Sequence, residues 1–246
     1  MSERFLVDAG NTRVKWCRAV QTASIGWTLT RHGDGPMGDA ETRERLLAVA
    51  GSAEKVWLAA SAPPRPLASA LEQAGYPVQV IGCGDVDVPV MPGYATLGVD
   101  RWLAMNGAWK RLGRALCVAD VGSAVTVDVV DHDCGHRGGW IAPGPLTAAE
   151  ALARRAPGLP AFEPSRADSE PALDSPASVA SGVMLQQAGF IERCWRQACA
   201  VLDDPLPLIL TGGGADAVHG FLDLAATRAD DLVFEGLLVV TEEADG

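Results

Sequence analysis

The chain is predicted to be an α/β protein of two related halves, residues 1–114 and 115–246, each a mixed sheet flanked by helices, with a cleft between the halves. Three observations carry that expectation. Residues 6–15 (LVDAGNTRVK) run from an apolar strand through an acid and a tight polar turn into a second alternating strand. Residues 116–128 (LCVADVGSAVTVD) repeat the pattern, and with Asp8 aligned on Asp120 both copies read D-x-G followed by a small polar residue. A triple-glycine turn, TGGGAD at 211–216, then leads toward a helix in the second half.

The elements follow in order. After the first hairpin, residues 25–30 read as a third strand, and 40–50 as a helix with Leu46, Leu47 and Ala50 on its inner side. Residues 55–60 are a short buried strand; SAPPRP at 61–66 stops it and starts a helix through Leu67 and Leu71 that ends at Gly75. Residues 78–81 are another strand, so the first half runs β-β-β-α-β-α-β. A loop rich in Gly, Pro and Asp spans 82–98 and exposes Tyr94 within MPGYATLGVDRW. The helix at 99–112 carries Asp100 and Arg101 in its first turn. An acid there complements the helix dipole, whereas a cation opposes it, so Arg101 needs a separate reason to be present.

In the second half, strands are expected at 116–121, 124–131 and 136–142. GHRGGWIAPG supplies Gly138 and Gly139, where the backbone is expected to pass close to a neighbour, and Pro143 and Gly144 open a helix at 145–155. Residues 156–177, rich in Pro, Ala, Ser and acids, read as a loop or flap. A long helix covers 179–202 with Val183, Gln187, Phe190, Ile191, Cys194 and Trp195 on one side. A strand at 207–210, the glycine turn, a helix through Leu224 and the apolar stretch 232–240 complete the chain.

Composition removes several classes of function. Hydrophobic residues make up 48% of the 246 and charged residues 21%, the balance of an ordinary globular chain. No apolar run approaches the roughly 20 residues that span a bilayer, and the N-terminus has no signal-peptide pattern, so a cytoplasmic protein without a membrane partner is expected. The six cysteines form no CxxC pair and read as reduced, mostly buried thiols. HDCGH at 132–136 lies between two strands without a second ligand cluster and is not taken as a metal site. A net charge of −11 argues against a nucleic-acid partner, whose phosphates demand clustered Lys and Arg.

Anionic ligands must then be met locally. A hairpin tip bearing Gly, Asn and a hydroxyl aims backbone N–H groups and short donors the same way, which suits a phosphate, and a carboxylate at the strand end can hold a hydrated divalent cation beside it. Two such hairpins and a glycine turn make a nucleotide site without a Walker sequence; G-x-x-x-x-G-K-[ST] is absent. Each turn alone is weak evidence, and their order and repetition carry the reading.

DAGNTRVK at 8–15, GVDRW at 98–102, DVGSAVT at 120–126, GGWIAPG at 138–144, TGGGAD at 211–216 and LVFEGL at 232–237 together resemble the type III pantothenate kinases, a family that includes the Bvg accessory factor. The family belongs to the acetate kinase, sugar kinase and actin superfamily, so the resemblance implies duplicated ribonuclease H-like (actin-like ATPase) domains. It implies ATP-dependent phosphorylation of pantothenate to 4'-phosphopantothenate, the first step of coenzyme A biosynthesis. By the same resemblance, Asp8, Ala9, Gly10, Asn11, Thr12, Arg13, Val14 and Lys15 meet the nucleotide phosphates, with Asp8 beside Mg²⁺. Ser123, where the family usually has threonine, and Gly212 and Gly213 contact ATP, while Asp120 holds a monovalent cation, potassium or ammonium. Asp100 matches the proton acceptor. Tyr94, Gly98, Val99, Asp100 and Arg101 meet the substrate, Arg101 as a planar fork for its carboxylate, although a tyrosine in this loop could equally plug loop to core. Ser175 stands at the position of a threonine contributed across a homodimer. Two rival readings remain from the sequence: a kinase acting on another small alcohol, and a nucleotide-binding regulator with altered catalysis.

Overall fold

In a computed structural model the described residues are 2–22, 26–51, 53–61, 63 and 65–244. They form two compact units: residues 1–110 with 232–246, and residues 111–231. The change near residue 110 lies close to the expected boundary at 114. The C-terminal helix, however, groups with the first unit, so the division 1–114 and 115–246 does not describe the packing.

In the first unit, β1 (Glu3–Ala9), β2 (Arg13–Thr22) and β3 (Gly26–Pro36) form an antiparallel meander, and α1 (Ala40–Ala50) leads to β4 (Val56–Ala60), then α2 (Arg65–Gln73) to β5 (Val78–Ile81). The sheet order is β3-β2-β1-β4-β5, with β4 parallel to β1 and β5 parallel to β4. The third strand runs six residues past the expected 25–30, and its expected first residue, Ile25, lies outside the described residues. Strand alternation splits β1 between two faces. Phe5, Val7 and Ala9 join Trp16, Leu46, Leu58 and Leu71 in a core beneath α1 and α2. Arg4, Leu6 and Asp8 point the other way, where Arg4 donates to Thr241 Oγ1 and stacks on Trp27.

Thr241 lies on α7 (Leu232–Ala244), which packs on β1, and α7 in turn meets α3 (Val99–Leu112). The two helices touch backbone to backbone. A Cβ on Gly236 would stand 1.8 Å from Leu103 O, and one on Gly107 would stand 2.3 Å from Leu232 O. The glycine of LVFEGL is therefore a notch that lets α3 settle against α7. Glu242 adds a polar tie across the same layer, accepting from Trp27 Nε1 (2.6 Å) and Lys110 Nζ (2.8 Å). Burial pushes its carboxyl up, but those two donors outweigh burial and hold it below its usual value. A lowered folded-state pKa stabilises above the unfolded value of 4.5 and is lost as pH falls through the folded one. Glu242→Gln is thus expected to unfold at lower temperature than the parent at pH 7, and the gap to narrow as the pH falls below 4.5, as followed by circular dichroism.

The second unit repeats the topology. Strands β6 (Leu116–Val121), β7 (Ala124–Val130), β8 (His136–Pro143), β9 (Leu208–Thr211) and β10 (Ala226–Arg228) take the order β10-β9-β6-β7-β8, with the same antiparallel meander and parallel extension. Helices α4 (Pro145–Arg155), α5 (Ser175–Leu202) and α6 (Ala215–His219) connect them. Cys117, Ala119 and Val121 of β6 pack with Met184, Ile191 and Val218 in the core.

Three expectations in this unit are corrected and one is borne out. The long helix begins at Ser175 rather than 179, because Asp174 caps it by accepting Ala177 N–H (2.7 Å) and Pro176 fits its first turn. The helix expected through Leu224 stops at His219, and the short edge strand β10 follows, too brief for a pattern of alternation. The loop expected at 156–177 is present up to Asp174 and is tied down: a 3₁₀ turn at Pro164–Arg166 packs on α5, and Asp168 N–H donates to Ser181 Oγ (3.0 Å). Gly138 makes no close approach; its φ of +93° accounts for the glycine, and a Cβ would meet nothing within 4 Å.

Candidate active site

In the first unit, Gly10 N–H donates to Arg13 O (2.9 Å), which leaves Asn11 and Thr12 exposed at a two-residue tip. Neighbouring chain braces that tip: Met37 N–H donates to Thr12 O (2.8 Å), Ser61 N–H to Ala9 O (3.0 Å), and Arg13 Nε to Asp34 (3.0 Å). The Ala9 and Val14 side chains enter the core, so only their backbone can face a ligand. Register sets Asp8 opposite Lys15 on β2 and beside Ala59 on β4, and cross-strand partners share a face. A carboxylate and an ammonium therefore stand together below a tip of small donors, a donor set that fits a phosphate and its hydrated counter-ion.

At the start of α3, Asp100 folds back to accept Arg101 N–H (2.9 Å), and a Cβ on Gly98 would lie 2.6 Å from Asp100 Oδ1. The glycine of GVDR leaves room for the carboxylate. Arg101, only 9% exposed, donates from Nη1 to Tyr94 Oη (2.9 Å), which explains a cation at a helix start better than the dipole does. Tyr94 itself remains 40% exposed, so it is not a core plug. Cys83 is close by: burial, then the charges of Asp85 and Asp100, push its thiol up to about 11, so it remains protonated and is no nucleophile near neutral pH.

In the second unit three turns converge. Asp120 occupies the penultimate position of β6, as Asp8 does on β1, but its register partners are Thr126 and Thr211 rather than a lysine. Gly212, at φ +94°, lies over it, with a Cβ there placed 2.3 Å from Asp120 Oδ1. Gly214 N–H donates to Val121 O (2.9 Å), holding the glycine turn to β6. From the other side, Gly144 N–H (2.9 Å) and Thr147 Oγ1 (2.6 Å) both donate to Ser123 O, and a Cβ on Gly144 would stand 2.0 Å from Gly122 O. Ser123 is left exposed at the tip. An oxygen-only set of one carboxylate flanked by threonines fits a hard monovalent cation, whereas the lysine beside Asp8 does not favour one.

Ser175 lines a groove of about 610 Å³ between α4 and α5, with Pro143, Leu152, Arg155 and Val183. The two histidines of HDCGH diverge: buried His136 contacts Asp128 Oδ1 (3.1 Å), and His132 faces Asp204 (3.5 Å).

A family model described as type III pantothenate kinase matches residues 4–197. The chain belongs to that family. It is 34% identical over 266 residues to the type III pantothenate kinase of Burkholderia cenocepacia strain HI2424, covering 99% of this chain and 97% of that one. It is 32% identical over 246 residues to the type III pantothenate kinase of Halorhodospira halophila, at 96% of each. Among solved structures, a Baf family transcriptional activator from Campylobacter jejuni superposes with a TM-score of 0.62 at 18% identity, covering 98% of this chain and all of that one, a likeness of fold. This pantothenate kinase phosphorylates pantothenate with ATP, in coenzyme A biosynthesis.

Several supports of the candidate site have no signal of their own in the sequence. Thr147 looks like any residue of a first helical turn, and Arg228, which pairs with Asp216 (3.0 Å) and reaches Gly212 O (3.5 Å), sits in a three-residue strand. The Gly107–Gly236 contact joins residues too distant in sequence for any local pattern. LVFEGL and GGWIAPG are recognisable as motifs, but the reasons for Gly236 and Gly144 lie in coordinates.

Proposed function

We propose that Asp100 is the general base of the phosphoryl transfer and that Arg101 with Tyr94 receives the carboxylate of pantothenate. The observation that supports this most is the Asp100 carboxylate folded over Gly98 at the head of α3, next to the nearly buried Arg101 held by Tyr94. A base and an anion fork at adjacent positions suit a substrate with a hydroxyl and a carboxylate. The primary hydroxyl gives its proton to Asp100 as its oxygen bonds to the γ-phosphorus, and the bond to the β–γ bridging oxygen breaks to leave ADP. Most of the remaining acceleration comes from alignment and charge neutralisation.

The hairpin at 8–15 serves the phosphates through backbone N–H groups, Asn11, Thr12 and Lys15, with Asp8 placed for the water shell of Mg²⁺. Ser123, Gly212 and Gly213 serve the nucleotide in the second unit, and Asp120 the monovalent cation. When bound, the two metal ions supply positive charge against the phosphates. A homodimer is supported by apolar side chains left in solvent at the start of α4 and its preceding strand, Ile141 at 63% and Leu146 at 64% exposure, near the groove that holds Ser175. Ser175 would then reach the substrate of the partner subunit. No described helix is long and apolar enough to cross a membrane, and we place the kinase in the cytoplasm, where ATP is supplied.

A coupled assay for ADP release tests the reading. Turnover is expected with pantothenate and not with glucose, to rise severalfold with potassium over sodium, and to lose the potassium response in Asp120→Ala. Potassium-independent turnover in the parent, or an unchanged response in the variant, would detach Asp120 from the cation.

A further inference from the structure

The loop that brings Tyr94 to Arg101 has no regular structure between Gly82 and Gly98, and a loop of that length needs an anchor to keep one side chain in place. Val90, fully buried, is that anchor, four residues before Tyr94. Its peptide groups are held by Asn106 of α3, which is 1% exposed. Asn106 Oδ1 accepts Val90 N–H (3.0 Å), and Nδ2 donates to Val90 O (2.9 Å) and to Trp102 O (3.0 Å). Trp102 Nε1 adds a second donor to Val90 O (2.7 Å). The pairing also sets the orientation of the amide, since the reversed one would face donor to donor. A buried network satisfied on every side specifies one arrangement of the groups that make it.

We propose that Asn106 is a positioning residue for the acceptor. Through Val90 it locks the Tyr94 loop onto the helix that carries Asp100 and Arg101, and so sets the affinity for pantothenate without touching it. The proposal rests on the reading of Tyr94 and Arg101 as acceptor contacts. Other residue types cannot replace the amide: leucine would fill the space and orphan the Val90 N–H, and aspartate would turn an acceptor toward the Val90 carbonyl. A displacement at Val90 passes to the Tyr94 phenol, and small misplacements of a substrate contact are costly.

Steady-state kinetics with both substrates varied tests this on Asn106→Asp, on the milder Trp102→Phe, and on Arg101→Ala. Asn106→Asp is expected to raise the KM for pantothenate about tenfold, through a displaced Tyr94, with the KM for ATP within about twofold. Trp102→Phe, which removes one donor to Val90 O and so displaces the loop less, is expected to raise it about threefold and decides the matter if Asn106→Asp does not fold. In a Tyr94→Ala background the same changes should add less than about twofold. A residue that only stabilises the fold would lower the melting temperature and the active fraction while leaving both KM values alone. Arg101→Ala raising the KM for pantothenate while neither Asn106→Asp nor Trp102→Phe does so overturns the proposal and leaves the acceptor reading standing. Arg101→Ala without any rise removes the acceptor reading and the proposal with it.

Discussion

Asp100→Asn is expected to lower kcat by about 10²- to 10⁴-fold, the usual contribution of a positioned general base, while ATP binding stays within about twofold of the parent. The substitution is nearly isosteric. The amide oxygen can still accept Arg101 N–H, and Gly98 still leaves it room, so the head of α3 keeps its geometry. What disappears is the capacity to take a proton. Saturating both substrates in a coupled assay, with calorimetric titration of a non-hydrolysable ATP analogue beside it, separates the two effects. Near-normal turnover would remove Asp100 from the mechanism, and lost analogue binding would show that the variant had disturbed more than chemistry.

The second large effect lies away from the reacting atoms. Gly236→Ala would set a Cβ 1.8 Å from Leu103 O, a backbone atom in mid-helix that cannot swing aside as a long side chain would. Either α3 retreats from α7 or the fold gives way. Overpacking of this kind costs about 2–3 kcal/mol, which for a chain of this size lowers the melting temperature by about 5–10 °C. Because α3 carries Asp100 and Arg101, kcat/KM for pantothenate should fall with it in whatever enzyme remains folded. Gly189→Ala is the matched control: also a helical glycine, it has open space where its Cβ would go, and it should be neutral or slightly stabilising. Equal melting temperatures for the two variants would mean that the α3–α7 contact is looser than the notch implies.

Both meanders, the acids closing β1 and β6, and the helix bearing Asp100 are legible from residue patterns, because strand alternation and D-x-G turns are local signals. The start of α5 is also local, yet it is missed when apolar periodicity outweighs the Asp174 cap and Pro176. Arg101 shows the boundary of such reading. Its conflict with the helix dipole is visible in sequence, but its partner Tyr94 is reached only through the course of an irregular loop. The same holds for Asp120: its carboxylate is evident from the repeat, whereas Thr126 and Thr211 become its neighbours only through strand register. The membership of α7 in the first unit is invisible to any local pattern, because it depends on glycine contacts between Gly107 and Leu232 and between Leu103 and Gly236.

That membership bears on how the enzyme is made. Every residue given a role toward ATP or pantothenate precedes Leu232, yet the helix that α3 rests against follows the whole second unit in the chain. A nascent polypeptide emerging from the ribosome has made all of the second unit, 111–231, before the helix that completes the first unit is synthesised. A polypeptide cut just before Leu232 would keep every one of those residues and lose the helix whose Gly236 notch seats Leu103 of α3.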